Sequence, residues 1–95
     1  MTTMHEKLVK VSGKSRASKV AGAIAGIMRE SDHVVVQAIG ATAVNQAIKS
    51  IALARGYLED DDINIVCTPE FADVEIEGKK KTAIKLLIKR GVRDG

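Results

Sequence analysis

Aromatic residues are almost absent from this chain, which has one tyrosine, one phenylalanine and no tryptophan among its 95 residues. Its core must therefore be built from isoleucine, valine, leucine and alanine, and it has no set of rings on which nucleic-acid bases could stack. The single cysteine, Cys67, excludes an internal disulfide and a CxxC pair. The longest uncharged run, Val34 to Ile48, is too short to span a bilayer, and the first residues lack the apolar stretch of a signal peptide. We therefore expect a cytoplasmic protein with no membrane segment.

Charge is segregated along the sequence although the formal net charge is only +3. Counting Lys and Arg against Asp and Glu, residues 1–19 carry +4, residues 20–58 carry +1, residues 59–77 carry −8 and residues 78–95 carry +6. The two basic blocks stand at opposite ends of the sequence. They can form one surface only if folding brings them together.

Hydrophobic periodicity predicts the element order β-α-β-α-β-β. The predicted strands cover residues 7–12, 33–39, 63–68 and 81–89, and the predicted helices cover 18–30 and 41–55. Because crossovers between parallel strands are right-handed, both helices are expected on one face of a four-stranded mixed sheet. The fold class is thus a two-layer α/β sandwich, with residues 1–95 as a single domain and loose tails at 1–5 and 91–95.

Several local features follow from the same pattern. Ser15 or Ser18 is expected to cap the first helix, Gly56 to end the second, Pro69 to break the third strand, and Cys67 to be buried. The predicted buried stripe of the first helix is Val20, Ala23, Ile24, Ile27 and Met28, beside a small-residue row that permits close packing, Ala21, Gly22, Ala25 and Gly26. The predicted stripe of the second helix is Val44, Ala47, Ile48, Ile51 and Ala52.

The run Gly13-Lys14-Ser15 has the ending of a nucleotide-binding P-loop. That motif needs a glycine five positions before Gly13, where this chain has Leu8, so nucleotide hydrolysis is disfavoured. What remains is a helix N-terminus whose backbone N–H groups, flanked by Lys14, Arg16 and Lys19, favour an anion. The alternative is an ordinary solvated lysine loop.

A second basic feature, Lys79, Lys80 and Lys81, follows Gly78 at the predicted tip of a β-hairpin arm. These lysines are typical either of an anion-binding arm or of an edge that resists aggregation. Neither His5 nor His33 has a partner at metal-ligand spacing, and the sequence has no motif of a catalytic nucleophile or a cofactor. We therefore expect no metal, no cofactor and no enzymatic activity.

Three segments together resemble the stage V sporulation protein S family: KVSGKSRASKVAGAIAG (10–26), VQAIGATAVNQAIKSIALARGYL (36–58) and INIVCTPEFADVEIEGKKKTAIKL (63–86). That family is similar to Alba, the small chromatin protein of archaea. The resemblance implies an Alba-like fold, a dimer, and binding of DNA or RNA through the first loop, the dimer centre and the arm. Gly13 and Lys14 match the family's loop, Gly40 matches the glycine that opens the second helix, and Lys79 to Lys81 match the arm. Two departures weaken the central patch: Ile39 and Ala41 stand where Alba has arginines, and the proline after the loop lysines is absent.

The leading hypothesis is a non-enzymatic, homo-oligomeric regulator of sporulation that binds nucleic-acid phosphates without reading the sequence. The residues expected to contact phosphates are Lys14, Arg16, Lys19, Lys79, Lys80 and Lys81. The dimer is expected to bury part of the second helix and the third strand. One alternative is a protein-interaction or self-assembly scaffold in sporulation or cell division that never contacts nucleic acid. A further alternative is a small phosphate-containing ligand at residues 13–18.

Overall fold

The computed structural model describes residues 7–92 and confirms the predicted order of elements. The predicted tails at 1–5 and 91–95 lie outside the described residues, except for Gly91 and Val92. The elements in chain order are β1 (Leu8–Val11), α1 (Ala17–Glu30), β2 (His33–Ala38), α2 (Ala41–Glu59), β3 (Ile65–Ile76) and β4 (Lys79–Arg90).

The four strands form one mixed sheet in the order β1-β2-β4-β3. β1 and β2 are parallel, whereas β4 is antiparallel to both β2 and β3. α1 connects the parallel pair and α2 connects β2 to β3. Both helices lie on one face, so the predicted two-layer α/β sandwich is confirmed.

The core lies between the helices and one face of the sheet. Val34 and Val36 of β2 and Leu86 and Ile88 of β4 point into it and are almost fully buried. The residues between them point the other way, because successive side chains of a strand alternate between faces. We call this other side of the sheet the open face. Residues that are partners across the four strands form rows on this face. One row contains Leu8, Val35, Leu87 and Thr68, and the next contains Lys10, Gln37, Lys85 and Glu70.

Alanine occupies many of the buried positions of the two helices. Ala21 and Ala25 are fully buried in α1, but Gly22 and Gly26 are exposed, so only half of the small-residue row packs as predicted. Of the predicted α1 stripe, Ala23 is also exposed. The buried residues of α2 are Ala43, Ala47, Ser50, Ala54 and Leu58, so the predicted stripe is wrong except at Ala47 and partly at Val44 and Ile51.

The second helix continues beyond the glycine that was expected to end it. α2 runs through Gly56 to Glu59, and Leu58 in its last turn is completely buried. The following turn is fixed from outside, because Arg29 Nε of α1 donates a hydrogen bond to Asp61 Oδ2 at 2.8 Å. Burial of Leu58 and this contact outweigh the low helix propensity of one glycine.

The third strand also differs from its prediction. β3 passes through Pro69 without a break, because an edge strand has one side with no partner that needs the missing N–H. The helices cover its helix-facing side only at Ile65, so Cys67, Pro69 and Phe71 are exposed, Phe71 by 79%. Cys67 is therefore not the buried residue that alternation predicted. We call the set Cys67, Pro69 and Phe71 the β3 strip.

Candidate functional site

The loop between β1 and α1 is held by its own serines. Ser15 Oγ accepts a hydrogen bond from the backbone N–H of Ser12 at 2.9 Å, and Ser12 Oγ accepts one from the N–H of Lys14 at 3.2 Å. The N–H of Ser15 closes the turn onto the carbonyl oxygen of Ser12 at 3.1 Å. The loop therefore presents Lys14 to solvent on a braced backbone.

No side chain of residues 7–92 caps the first helix. The N-cap residue of α1 is Arg16, which has no oxygen with which to cap, and its first turn contains no acidic residue. Ser18 lies inside the helix and Ser15 is engaged with the loop, so the predicted serine cap is wrong. The first turn of α1 thus keeps its partial positive charge uncompensated beside exposed Arg16 and Lys19.

The second helix begins in the same way. Its N-cap residue is Gly40, whose φ of +90° is a backbone conformation that side chains disfavour, and it supplies no capping side chain. The first turn of α2 also lacks acidic residues. Within the part of the chain that the structure describes, both helix N-termini are therefore uncapped.

These two N-termini lie side by side, since β1 and β2 are parallel and each runs into its helix at the same end of the sheet. A Cβ atom on Gly13 would stand 3.0 Å from Thr42 Cγ2 in the first turn of α2. Gln46 Nε2 of α2 donates a hydrogen bond to the carbonyl oxygen of Ser15 at 2.8 Å. Sequence reasoning missed this contact because Gln46 is not among the residues of the predicted buried stripe of α2. We call the hydrogen bond from Gln46 to Ser15 the bracket between α2 and the loop. We call the loop 12–16 together with the first turns of α1 and α2 the double N-terminus.

The hairpin arm has a tight turn at Glu77 and Gly78, where φ is +51° and +78°. Positive φ at both central residues is the geometry that matches the twist of a two-residue hairpin. Lys79, Lys80 and Lys81 are all exposed, as expected of an arm tip.

The arm lysines do not share one face. Lys79 and Lys81 pair with Ile76 and Val74 and lie on the open-face side, whereas Lys80 pairs with Glu75 on the other side. The arm from residue 72 to 83 contains three lysines and three acidic residues, so it has no net charge. Its positive charge is therefore concentrated on the side that carries Lys79 and Lys81.

The loop and the arm border a common cleft of about 440 Å³. Ser12 and Gly13 line it from the loop, and Val74 to Ile76 line it from the arm. The cleft thus lies between the first loop and the part of β3 that pairs with the arm lysines, and Lys10 is the basic residue among those that line it. Ile39 lines the floor between the loop and the arm, so the floor carries no charge at the position where Alba was expected to have an arginine.

Three properties of residues 7–92 bear on other classes of function. In that range no three His, Cys, Asp or Glu side chains are grouped so that they could hold a metal ion. Neither of the two helices combines the length and hydropathy needed to cross a bilayer. Partial burial raises the pKa of the Cys67 thiol, which disfavours the reactive thiolate at neutral pH.

Comparison with known proteins identifies a matching family and a matching fold. The family model described as stage V sporulation protein S matches residues 7–91, which is nearly the whole chain. Among solved structures, Alba from Thermoplasma volcanium superposes with a TM-score of 0.62 at 14% sequence identity, covering 88% of this chain and 100% of that one. At this identity the likeness establishes a shared fold.

Proposed function

The chain belongs to the stage V sporulation protein S family, and from this premise we propose that it is a non-enzymatic regulator that binds nucleic-acid phosphates. The family implies involvement in sporulation and the fold is Alba-like. The observation that carries the proposal is the double N-terminus. Two uncapped helix ends with no acidic residue in either first turn lie together beside Lys14, Arg16 and Lys19.

The chemistry of this surface suits a phosphate backbone rather than bases. Free N–H groups at a helix start and mobile cationic side chains recognise phosphate oxygens of any sequence. The described surface offers no aromatic platform there, since Tyr57 lies in the last turn of α2 and Phe71 lies in the middle of β3. Binding is therefore expected to be sequence-tolerant.

Lys79 and Lys81 extend the phosphate-binding surface across the cleft. A strand of nucleic acid lying along the rim of the cleft would meet the loop first and then the arm. Lys80 points to the opposite side and pairs with Glu75, so we assign it a smaller contribution than its neighbours.

We further propose a homodimer that covers the β3 strip. A side of β3 that exposes Phe71 by 79%, next to Pro69 and the partly buried Ile84, is costly to leave in water. Small domains bury a modest fraction of their surface alone, which favours association. A dimer would also place two copies of the double N-terminus on one assembly.

The test is a salt titration of binding to duplex DNA, single-stranded DNA and structured RNA. For duplex DNA, the logarithm of the association constant should fall with the logarithm of salt concentration by roughly 0.9 per phosphate contacted. The double variant Lys14→Glu/Arg16→Glu should abolish binding at moderate salt. The matched control, Lys49→Glu/Arg55→Glu, changes charge equally on α2 and should retain most of the affinity.

Two results would contradict the proposal. One is an affinity that does not depend on salt, and the other is equal loss in both double variants. If no nucleic acid binds at low salt, the protein-interaction scaffold becomes the better function, since the sequence carries −8 at residues 59–77 and +6 at residues 78–95.

A further inference from the structure

The outer edge of β1 is an unpaired strand edge at the end of the sheet. Within residues 7–92, β1 pairs only with β2. The carbonyl oxygen of Lys7 accepts a hydrogen bond from the N–H of Val35 at 3.0 Å, which directs the backbone groups of residues 7 and 9 toward β2. In a parallel ladder the alternate residues, Leu8 and Lys10, then direct their N–H and C=O groups outward. Such an edge is a template for an additional strand.

Two concavities flank this edge, one on each side of the sheet. On the open face, the cleft described above extends along β1 past Lys10 to Leu8, which is 47% exposed. On the helix side, a groove of about 390 Å³ separates Lys7 from α1. Its floor is formed by Gly22 and Gly26, where an added Cβ would meet no atom within 4 Å.

We propose that β1 accepts an extended, acidic segment of a partner protein as a fifth strand of the sheet. Side chains of an added strand alternate between the two sides, so one set would enter the cleft and the other the groove. Carboxylates of the segment would lie opposite Lys10 on the open face. Small apolar side chains would lie over Gly22 and Gly26.

Charge favours an acidic partner segment over the two other possible occupants, a second copy of this chain and nucleic acid. Lys10 lies on the open face and takes part in none of the ion pairs of the described chain, whereas Lys7 shares the groove with Glu30. The positive charge of the edge is therefore on the side where the carboxylates of the segment would lie. Pairing of β1 with β1 of a second copy would set the like charges of the two edges against each other. Nucleic acid would gain little from an apolar groove, and the edge has no arginine or aromatic side chain to hold it.

The experiment uses the full chain and a fluorescein-labelled peptide of about twelve residues that alternates glutamate and valine, a length that spans the strand with overhangs. Fluorescence anisotropy should detect binding of this peptide and not of a lysine–valine peptide of the same length. Gly26→Leu fills the groove and introduces a better helix former at an exposed position, so the fold should be kept while affinity falls by roughly tenfold or more. Lys10→Glu should have a similar effect, and Lys49→Glu should have none.

Amide hydrogen exchange separates strand addition from a loose ionic encounter. The amides of Leu8 and Lys10 should become protected when the glutamate–valine peptide is bound. Absence of peptide binding, unchanged affinity in Gly26→Leu, or unprotected Leu8 and Lys10 amides in the complex would each overturn the proposal. If the same amides are protected without peptide and the protection increases with protein concentration, the proposal is overturned, because β1 then pairs with a second copy of this chain. Gly26→Leu should leave nucleic-acid binding unchanged. The experiment therefore distinguishes failure of the strand-addition proposal from failure of the nucleic-acid-binding proposal.

Discussion

Gly13 lies against Thr42, so closely that a single Cβ atom on the glycine would come within 3.0 Å of the threonine methyl group. The contact joins the loop after β1 to the first turn of α2, two segments separated by a helix and a strand in the sequence. It sets the distance between the two uncapped helix starts. The spacing of the double N-terminus therefore depends on the absence of a side chain at position 13.

Gly13→Ala should lower the free energy of unfolding by about 1 kcal/mol, the lower end of the cost of overpacking. The cause is steric, since the backbone at Gly13 is not in the left-handed region. Urea denaturation of Gly13→Ala, Thr42→Ala and the double variant tests this. Removing the Thr42 methyl group should restore part of the loss, and additive effects in the double variant would show that the two residues do not clash.

Gly40→Ala should also destabilise, by roughly 1–2 kcal/mol, because a side chain is disfavoured at a φ of +90°. The space around Gly40 is open, so the cost arises from the backbone alone. Gly22→Ala is the matched control, since Gly22 lies in an exposed helix position with equal space and alanine there should stabilise by about 1 kcal/mol. Effects of the same sign in both variants, measured by urea denaturation, would contradict this explanation.

Phe71→Glu should convert the proposed dimer to a monomer, because it places a carboxylate within the β3 strip. Sedimentation equilibrium measures the change in mass. Thr68→Glu adds the same charge to the opposite side of the same strand and should leave the dimer intact. The Cys67 thiol offers a second readout, since maleimide labelling should be faster in Phe71→Glu than in the parent chain. A parent chain that is already monomeric at high concentration would remove the dimer from the proposal.

Stability should depend on pH through Asp32. His33 Nδ1 forms a hydrogen bond with Asp32 Oδ1 at 2.8 Å, and this bond lowers the pKa of the carboxyl group. A lowered carboxyl pKa stabilises the folded state at pH values above the unfolded pKa of about 4 and ceases to do so as pH falls through the folded value. The parent chain should thus melt slightly above Asp32→Asn at pH 6, with the difference vanishing at strongly acidic pH. Asp73→Asn provides the comparison for loss of an exposed charge, and an identical pH profile for the two variants would contradict the role of His33.

The strands and their order could be predicted because alternation is clear in them. In β4, Ile84, Leu86 and Ile88 alternate with Lys85 and Lys89 along the sequence, and Leu86 and Ile88 are buried. The family resemblance added the fold, which the family match and the Alba superposition confirm.

The rotation of α2 about its axis could not be predicted in the same way. The hydrophobic periodicity included the large residue Ile48 in the predicted buried stripe of α2. That residue is 49% exposed, whereas Ala47 is fully buried. Alanine supplies most of the buried positions of α2, and close packing favours small residues over large ones where two elements approach each other. The preference for small residues depends on which element packs against α2. The sequence of α2 alone does not give that information.

The exposure of Cys67 and the continuity of β3 through Pro69 were missed for a related reason. Both follow from the position of β3 at the edge of the sheet, beyond the cover of the helices. Whether a strand lies at the edge depends on the strand order of the whole sheet. The alternation of apolar and polar residues within the strand does not indicate it. The bracket between Gln46 and Ser15 likewise joins residues far apart in the chain.

The place of β4 between β2 and β3 has a consequence for how the protein is made on the ribosome. Within the described range 7–92, β3 has no neighbour in the sheet except β4, which follows it in the chain. While β3 is emerging, it has nothing to pair with, and only the β1–β2 pair with its helices can begin to assemble. The sheet can close only after the chain through Arg90 has left the ribosome, so β3 remains a twelve-residue strand without a partner until β4 joins it.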